Sequence, residues 1–196
     1  MSKHLDLGCG AVPRNPYRRQ QLFGVDITPA RTEAAEVRRA NLAVEPIPFD
    51  DGTFDSVSAF DFLEHMPRIL ALANGSGTRF PFIELMNEIS RVLRPGGLFY
   101  AVTPCYPDPA AFTDPTHVNF MTLKTCSYFT GDKPRARMYG FTGHFAAQRV
   151  EWGVHKDSLD PLASLTLSQK FRRVVRRLKG TFGHVVWELE STKPGA

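Results

Sequence analysis

The sequence predicts an α/β fold with a mostly parallel, seven-stranded sheet, an antiparallel edge strand and helices on both faces. Apolar, strand-like runs alternate with helix-like segments through the first hundred residues, which is typical of parallel sheets. The first run ends in a tight turn between Gly8 and Gly10, where the absence of a Cβ lets a ligand approach the backbone. Two late apolar runs follow one another without a regular helical crossover, which indicates the antiparallel edge.

Seven runs are predicted as strands, and they cover residues 3–7, 22–27, 40–42, 54–60, 98–103, 149–154 and 183–190. The clearest helix is predicted over residues 82–93, where Ile83, Met86, Ile89 and Leu93 recur at steps of three and four. A surface helix is expected over residues 28–39 and a basic helix over 168–179. No internal repeat or linker interrupts the chain, so a single domain of residues 1–196 is expected.

Composition excludes several classes of protein. No apolar run approaches the roughly 18 residues of a transmembrane helix, and the N-terminus lacks the pattern of a signal peptide. Cys9, Cys105 and Cys126 are too widely spaced for a disulfide framework, which favours a reducing, cytoplasmic location. The net charge is +4, but six cations lie within residues 170–179, so the rest of the chain sums to −2. Nucleic-acid binding is therefore not expected.

An acid lies at the end of the second predicted strand, where parallel sheets with a glycine turn often bind a ribose. Asp26 stands 16 residues after Gly10, and a carboxylate can accept hydrogen bonds from both hydroxyls of a ribose. Asp26 could instead cap the next helix. Thr28 followed by Pro29 is the better helix start, which leaves Asp26 for a ligand.

Five motifs in order make the first hundred residues resemble the class I S-adenosylmethionine-dependent methyltransferases, and within them the methyltransferase type 11 subgroup. Each motif is weak alone, but their order is specific, and the resemblance covers residues 3–104. The motifs are LDLGCG at 5–10, FGVDI at 23–27, PIPFDDGTFDSV at 46–57, LEHM at 63–66 and EISRVLRPGG at 88–97. The resemblance implies a Rossmann-like fold that binds S-adenosylmethionine with residues 1–104 and the acceptor with residues 105–196.

The resemblance also implies which residues hold the cofactor. The first motif would face its methionyl and ribose parts, Asp26 its ribose hydroxyls, Ile27 and the Asn41–Leu42 pair its adenine, and the end of the fourth strand its methionine. The implied cofactor-binding residues are Asp6, Gly8, Cys9, Gly10, Asp26, Ile27, Asn41, Leu42, Ala59 and Phe60. Asn41 replaces the family's usual aspartate, and its amide oxygen can still accept a hydrogen bond from an amine.

Two departures from the family pattern affect the cofactor site. Val12 and Pro13 stand where the family has a third glycine, so the chain after the turn must continue differently. Almost no chain precedes the first strand, so the N-terminal helix that often covers the cofactor is expected to be missing. Residues 105–145, which are irregular and rich in proline and aromatic residues, are the expected replacement.

Two histidines are candidates for a general base, because imidazole accepts a proton near neutral pH. His117 lies in a DPTH motif that is typical of the resembling subgroup, and Asp114 could orient its ring. The alternative is that Asp114 and His117 only satisfy backbone groups in a loop. His65 is the second candidate, although packing at a helix start is the favoured explanation for it. No His, Asp and Glu cluster has the spacing of metal ligands, so no metal site is expected.

The basic stretch 168–179 places four apolar residues at helical spacing among six cations. It could cover the sheet edge as an ordinary surface helix, or it could contact an anionic partner such as a membrane surface. The sequence thus predicts a methyltransferase that O-methylates a small molecule or glycan. An RNA or protein methyltransferase and a non-catalytic S-adenosylmethionine-binding module remain alternatives. The oligomeric state is left open.

Overall fold

The computed structural model describes residues 1–29, 35–73, 75–181 and 183–194, which contain nine strands and three α-helices. The strands are β1 (Lys3–Leu7), β2 (Gln21–Asp26), β3 (Glu36–Arg39), β4 (Phe54–Phe60), β5 (Leu70–Ala71), β6 (Thr78–Arg79), β7 (Leu93–Pro104), β8 (Phe145–Gly153) and β9 (His184–Ser191). The helices are α1 (Pro81–Val92), α2 (Ala110–Thr113) and α3 (Leu167–Lys179). Four short 3-10 helices occupy Leu63–His65, Thr125–Tyr128, Arg135–Tyr139 and His155–Ser158.

Seven strands form one sheet in the order β3-β2-β1-β4-β7-β9-β8. The first five of these pair in parallel, and β9 runs antiparallel to both β7 and the edge strand β8. This confirms the predicted Rossmann-like fold with an edge strand antiparallel to its neighbour. The strand order reverses direction between β1 and β4, so a crevice opens beyond their carboxyl ends.

The predicted helix over residues 28–39 is wrong at its end, because Glu36–Arg39 forms β3 instead. β3 pairs in parallel with β2 and therefore takes the place of the strand predicted at 40–42. Pairing with an existing strand edge outweighs the helix propensity of this Glu- and Arg-containing segment. The beginning of the predicted helix falls on residues 30–34, which lie outside the described residues.

Different elements lie on the two faces of the sheet. The apolar stripe of α1, formed by Leu85, Met86, Ile89 and Val92, is buried against Leu5 and Val57 on one face. α3 lies against the opposite face, where Arg173 pairs with Glu151 of β8. The predicted helices on both faces are therefore confirmed.

Candidate functional site

The glycine turn after β1 is shaped by two residues with left-handed backbone angles. Gly8 has a φ of 62° and donates its N–H to the carbonyl of Val25 over 2.9 Å, which ties the turn to β2. A Cβ on Gly8 would lie 2.4 Å from the ring of Phe62, whereas one on Gly10 (φ 59°) would meet no described atom within 4 Å. The turn is thus closed at Gly8 and open above Gly10, so a ligand can approach the backbone there.

Asp26 connects this turn to the end of β2. One carboxylate oxygen accepts from the N–H of Gly10 and the other from the N–H of Thr28, each over 2.8 Å. A carboxylate oxygen has lone pairs for more than one donor, so both can still accept from a diol. The backbone bonds fix the carboxylate at the mouth of the crevice, which is the placement the ribose hypothesis needs.

A cleft of about 280 Å³ opens beside Asp26 at the carboxyl ends of β1 and β2. It is lined by five of the ten residues predicted to bind the cofactor, namely Gly8, Asp26, Ile27, Asn41 and Leu42. Phe62, His65 and Met66 also line it, and the sequence had not indicated them as cofactor contacts. The predicted residues therefore come together from three separate strands. We refer to this cleft as the nucleoside cleft.

The other five predicted residues do not line the nucleoside cleft. Gly10 instead donates its N–H to Asp26 and so fixes that carboxylate. The Cys9 thiol packs against Gly24 of β2, where a Cβ would lie 2.7 Å from the sulfur. Burial, followed by the charges of Asp6 and Asp26, raises the pKa of that thiol to about 12. Ala59 is buried in the main core, and Phe60 is buried on the opposite face beneath the guanidinium of Arg14. Asp6 is buried below the turn.

Asp6 ends a chain of buried hydrogen bonds that the sequence analysis missed. Arg19 donates to Ser56 (3.3 Å), and Ser56 contacts Nδ1 of His4 (2.8 Å). Nε2 of His4 contacts Ser58 (2.9 Å), which donates to Asp6 (2.6 Å). Since Ser58 donates to the carboxylate, it must accept from His4, so Nε2 carries the proton of a neutral imidazole. Asp6 also accepts from the N–H of Arg14, which holds the segment after the glycine turn.

Acid stability should depend on His4. Burial, reinforced by the charge of Arg19, lowers the pKa of His4 from 6.5 to about 3. The folded protein therefore binds fewer protons than the unfolded chain between these values, so this contribution to stability is lost as the pH falls from 6.5 toward 3. The expected loss is about 1.4 kcal/mol per pH unit. Burial raises the pKa of Asp6 from 3.8 to about 6, so Asp6 acts in the opposite direction between those two values.

Urea unfolding of wild type and His4→Gln at pH 7.5, 6.0 and 5.0 would measure this effect. The amide keeps a donor and an acceptor but does not titrate, so the wild type should lose stability relative to the variant as the pH falls. His144→Gln is the control, because His144 is exposed. A His4→Gln difference that stays constant with pH would contradict the prediction.

A second, broader cleft of about 730 Å³ lies beyond the carboxyl ends of β4 and β7. It is lined by four of the six histidines and three carboxylates, namely His65, His117, His155, His184, Asp61, Glu64 and Asp114. His65 lines both clefts, so the two adjoin. We refer to this second cleft as the histidine cleft. Part of its wall comes from residues 110–117.

His117 is oriented by a backbone carbonyl. Its Nδ1 lies 3.1 Å from the carbonyl oxygen of Ala111, so Nδ1 carries the proton and Nε2 is the basic nitrogen. The carboxylate of Asp114 lies 3.9 Å from Nε2 and accepts from both the N–H and the hydroxyl of Thr116. Ala111 therefore has the orienting role that the sequence had suggested for Asp114. His65 packs edge-on against His117, with 4.7 Å between the ring centres, and its Nδ1 contacts Thr116.

Glu64 is a buried acid at the inner wall of the histidine cleft. Only 1% of its surface is exposed, and Oε2 accepts from the hydroxyl of Thr103 over 2.8 Å. Oε1 lies 4.0 Å from Nε2 of His117 and has no hydrogen-bond partner among the described residues. Burial raises the pKa of Glu64. Glu64 belongs to the LEHM motif at 63–66, but its position in the sequence does not indicate this buried environment.

Two further histidines converge on Asp61, the residue after β4. Nε2 of His155 lies 2.7 Å from Oδ2, and Nε2 of His184 lies 3.3 Å from Oδ1. Burial opposes ionisation of Asp61, but the hydrogen bond from His184 and the charges of both histidines outweigh it and lower its pKa. Asp61 has a φ of 49°, a left-handed angle that non-glycine residues adopt mainly at functional sites or turns.

Part of the chain matches a known protein family. Residues 5–101 match the family model described as a methyltransferase domain. No curated protein matches the chain in sequence.

Among solved structures, an S-adenosylmethionine-dependent methyltransferase from Mesorhizobium loti is similar with a TM-score of 0.58, at 14% identity over 96% of this chain and 90% of that one. A chain in the complex of the Haloferax volcanii Trm112 activator with a methyltransferase also has a TM-score of 0.58, at 15% identity over 98% of this chain and 83% of that one. The [4+2]-cyclase SpnF is similar with a TM-score of 0.56, at 15% identity over 100% of this chain and 76% of that one.

The family match covers β1 to β7, which carry the glycine turn, the acid of β2 and the residues of the nucleoside cleft. The structural neighbours, at 14% and 15% identity, show that the chain shares their fold. The chain therefore belongs to the class I S-adenosylmethionine-dependent methyltransferases.

Proposed function

We propose that this protein transfers a methyl group from S-adenosylmethionine to an oxygen atom of a small molecule or glycan. The observation that carries the proposal is the junction of the two clefts at His65. One cleft holds the glycine turn and acid suited to a nucleoside, and the other is lined by imidazoles and carboxylates suited to a polar acceptor. Methyl transfer needs donor and acceptor in line and shielded from water, and adjoining clefts provide that arrangement.

The residues of the nucleoside cleft fit S-adenosylmethionine. Open space above Gly10 admits a ligand close to the backbone, and the fixed carboxylate of Asp26 can accept from both ribose hydroxyls. Asn41 and Leu42 lie where an adenine edge would contact them. When bound, the cofactor supplies a methyl group on a positively charged sulfur, which is a good leaving group.

In this proposal His117 is the general base. Its Nδ1 proton is held by the carbonyl of Ala111, so Nε2 is available to take the proton of an acceptor hydroxyl. His65 lies between the two clefts and helps to position the acceptor. Asp114 holds the loop of His117 through Thr116 rather than contacting Nδ1.

Two alternatives compete with this proposal. An RNA or protein methyltransferase is less well supported, because the residues after β4 read Asp-Phe-Leu-Glu and the positive charge is confined to one helix. A non-catalytic S-adenosylmethionine-binding module is the second. The fold alone does not decide it, since the structurally similar SpnF is named as a cyclase.

Calorimetry with S-adenosylmethionine and S-adenosylhomocysteine tests the cofactor assignment. Wild type should bind both, and Asp26→Ala should bind about 10- to 100-fold more weakly, because a hydrogen bond to a charged group is worth about 1.5–3 kcal/mol. Asp50→Ala removes an exposed carboxylate elsewhere and is the matched control. No binding by wild type would refute the enzyme proposal. Unchanged binding by Asp26→Ala would refute only the ribose assignment.

We also propose that α3 contacts an anionic membrane surface. Its apolar residues face away from the protein, since Leu167, Phe171, Val174 and Leu178 are 84%, 71%, 55% and 83% exposed. The opposite side of the helix binds the protein body, where Arg172 pairs with Asp157 and Arg173 with Glu151. α3 contains no acidic residue, and the cations beside the apolar stripe are Lys170, Arg177 and Lys179.

This arrangement is that of an interfacial helix rather than of a helix that covers a core. A capping box formed by Thr166 and Gln169 starts α3, and Gly180 ends it in a left-handed conformation. The helix is therefore specified locally, although none of its residues is buried. An apolar stripe bordered by lysine and arginine matches the boundary between acyl chains and anionic headgroups.

No helix among the described residues has the length and apolar character needed to cross a bilayer. A cytoplasmic location accompanies the proposal, supported by the fact that Cys9, Cys105 and Cys126 form no disulfide with one another.

A further inference from the structure

We propose that Asp61, His155 and His184 form a binding site for a divalent transition-metal ion, best matched by Zn²⁺, in the wall of the histidine cleft. The ligand atoms that the three side chains offer lie within 4.8 Å of one another. Each histidine directs Nε2 at a different oxygen of the same carboxylate, over 2.7 and 3.3 Å. An ion between the three groups would need only small side-chain movements.

The backbone holds these three residues at the rigid end of the sheet. His184 is the first residue of β9 and pairs with Pro104 of β7 and Gly153 of β8. His155 follows Gly153 by two residues and begins a 3-10 helix, and Asp61 directly follows β4. Asp61 donates its N–H to the carbonyl of Val102 over 2.9 Å, so the strained residue is tied to β7. A site built on strand ends is preorganised.

A second, independent observation points to an unidentified ligand in the same cleft. Oε1 of the buried Glu64 has no hydrogen-bond partner among the described residues. Buried carboxylate oxygens normally have a partner, because an unsatisfied one costs free energy. Glu64 forms a neighbouring group with His65 and His117, and the ligand atoms of that group also lie within 4.8 Å of one another. A cation at Asp61 would attract both carboxylates.

The donor set decides the kind of ion. Two imidazole nitrogens and one carboxylate oxygen favour zinc and other first-row transition ions over Mg²⁺ and Ca²⁺, which prefer oxygen ligands. Three protein ligands also leave a coordination position open, as in catalytic rather than structural zinc sites. Sequence spacing could not reveal the set, because its members lie at positions 61, 155 and 184.

The role of the ion rests on the proposed function. An acceptor hydroxyl bound at the open position would lose its proton more readily, because the ion stabilises the oxygen anion that forms. The proton would pass to Nε2 of His117 across the cleft. The metal site thereby favours an oxygen acceptor that can bind a metal, such as a hydroxyl beside a second oxygen.

Metal binding can be tested without any methyl acceptor. The full chain, freed of metal by a chelator, should bind Zn²⁺ in calorimetry with a stoichiometry of one, and Co²⁺ should give the visible absorption of a low-coordinate nitrogen and oxygen site. His155→Ala and His184→Ala should each bind Zn²⁺ at least about 100-fold more weakly. His144→Ala, at an exposed histidine outside the cleft, should bind as wild type does.

Binding of S-adenosylhomocysteine by each variant reports whether that variant is folded. Asp61→Asn changes the third proposed ligand without changing the size of its side chain. The proposal is overturned if wild type does not bind Zn²⁺ at this stoichiometry, or if His155→Ala and His184→Ala bind it as His144→Ala does. It is also overturned if only His65→Ala and His117→Ala lose the ion, which would place the site at Glu64. Failure of the cofactor proposal would appear separately, as loss of S-adenosylmethionine binding with Zn²⁺ binding intact.

Discussion

Gly8→Ala is expected to destabilise the protein by about 2–4 kcal/mol and to weaken S-adenosylmethionine binding at least tenfold. The left-handed φ of 62° costs an alanine about 1–2 kcal/mol. The added Cβ would also lie 2.4 Å from the Phe62 ring, so that ring must move. Phe62 lines the nucleoside cleft, and its displacement would therefore alter the cofactor site as well as the packing.

Gly10→Ala is the matched control, because it has nearly the same φ, 59°, and no described atom within 4 Å of the added Cβ. Its free energy of unfolding should fall only by the backbone component, about 1–2 kcal/mol, so it should unfold at a higher urea concentration than Gly8→Ala. Urea unfolding gives the stabilities, and calorimetry gives the cofactor affinities. Equal losses of stability in the two variants would show that the contact with Phe62 is unimportant. In Phe62→Ala, adding Gly8→Ala should cost no more than Gly10→Ala does.

Replacing Phe171 and Leu178 together by glutamate is expected to reduce binding to phosphatidylserine-containing vesicles at least about 100-fold. Each exposed apolar side chain contributes about 1.5–3 kcal/mol when it enters an apolar environment, and the new carboxylates are repelled by anionic headgroups. Vesicle co-sedimentation of the full chain would measure the effect. Binding by wild type should weaken with added salt and with neutral phosphatidylcholine vesicles, since the cations of α3 supply part of the attraction.

Met138→Glu with Leu162→Glu is the matched control for charge, because both residues are exposed and lie outside α3. This variant should bind vesicles nearly as wild type does. Equal losses in the two double variants would mean that net charge, rather than the apolar stripe, governs the interaction. Wild type could instead fail to bind anionic vesicles and form a concentration-dependent dimer that the α3 variant abolishes. That result would assign the apolar stripe to contact with a second copy of the chain.

The position of α3 would relate a membrane contact to the histidine cleft. Asp157 holds the helix through Arg172 and Gln169 and lies two residues after His155, which points at Asp61. A helix lying on a membrane surface would therefore hold the cleft close to that surface.

Prediction from sequence was most successful where local order decides the structure. Spacing along the chain was sufficient to predict the glycine turn, the acid of β2 and the apolar stripe of α1, because each is formed by residues close together in the sequence. It failed at Glu36–Arg39, where pairing with β2 overrides local helix propensity. It also assigned Phe60 to the cofactor, although alternation along β4 places that side chain on the opposite face of the sheet.

The sequence by itself determined the α/β class, the sites of the cofactor motifs and the amphipathic character of α3, because each depends on periodicity or on a short motif. Only the tertiary structure decided which distant side chains meet. Sheet register brings His155 and His184 to Asp61, and pairing of β1 with β4 joins His4 to Ser56 and Ser58. Ion pairs on the basic side of α3 turn its apolar stripe outward. These contacts arise from the relative placement of whole elements, which no local pattern encodes.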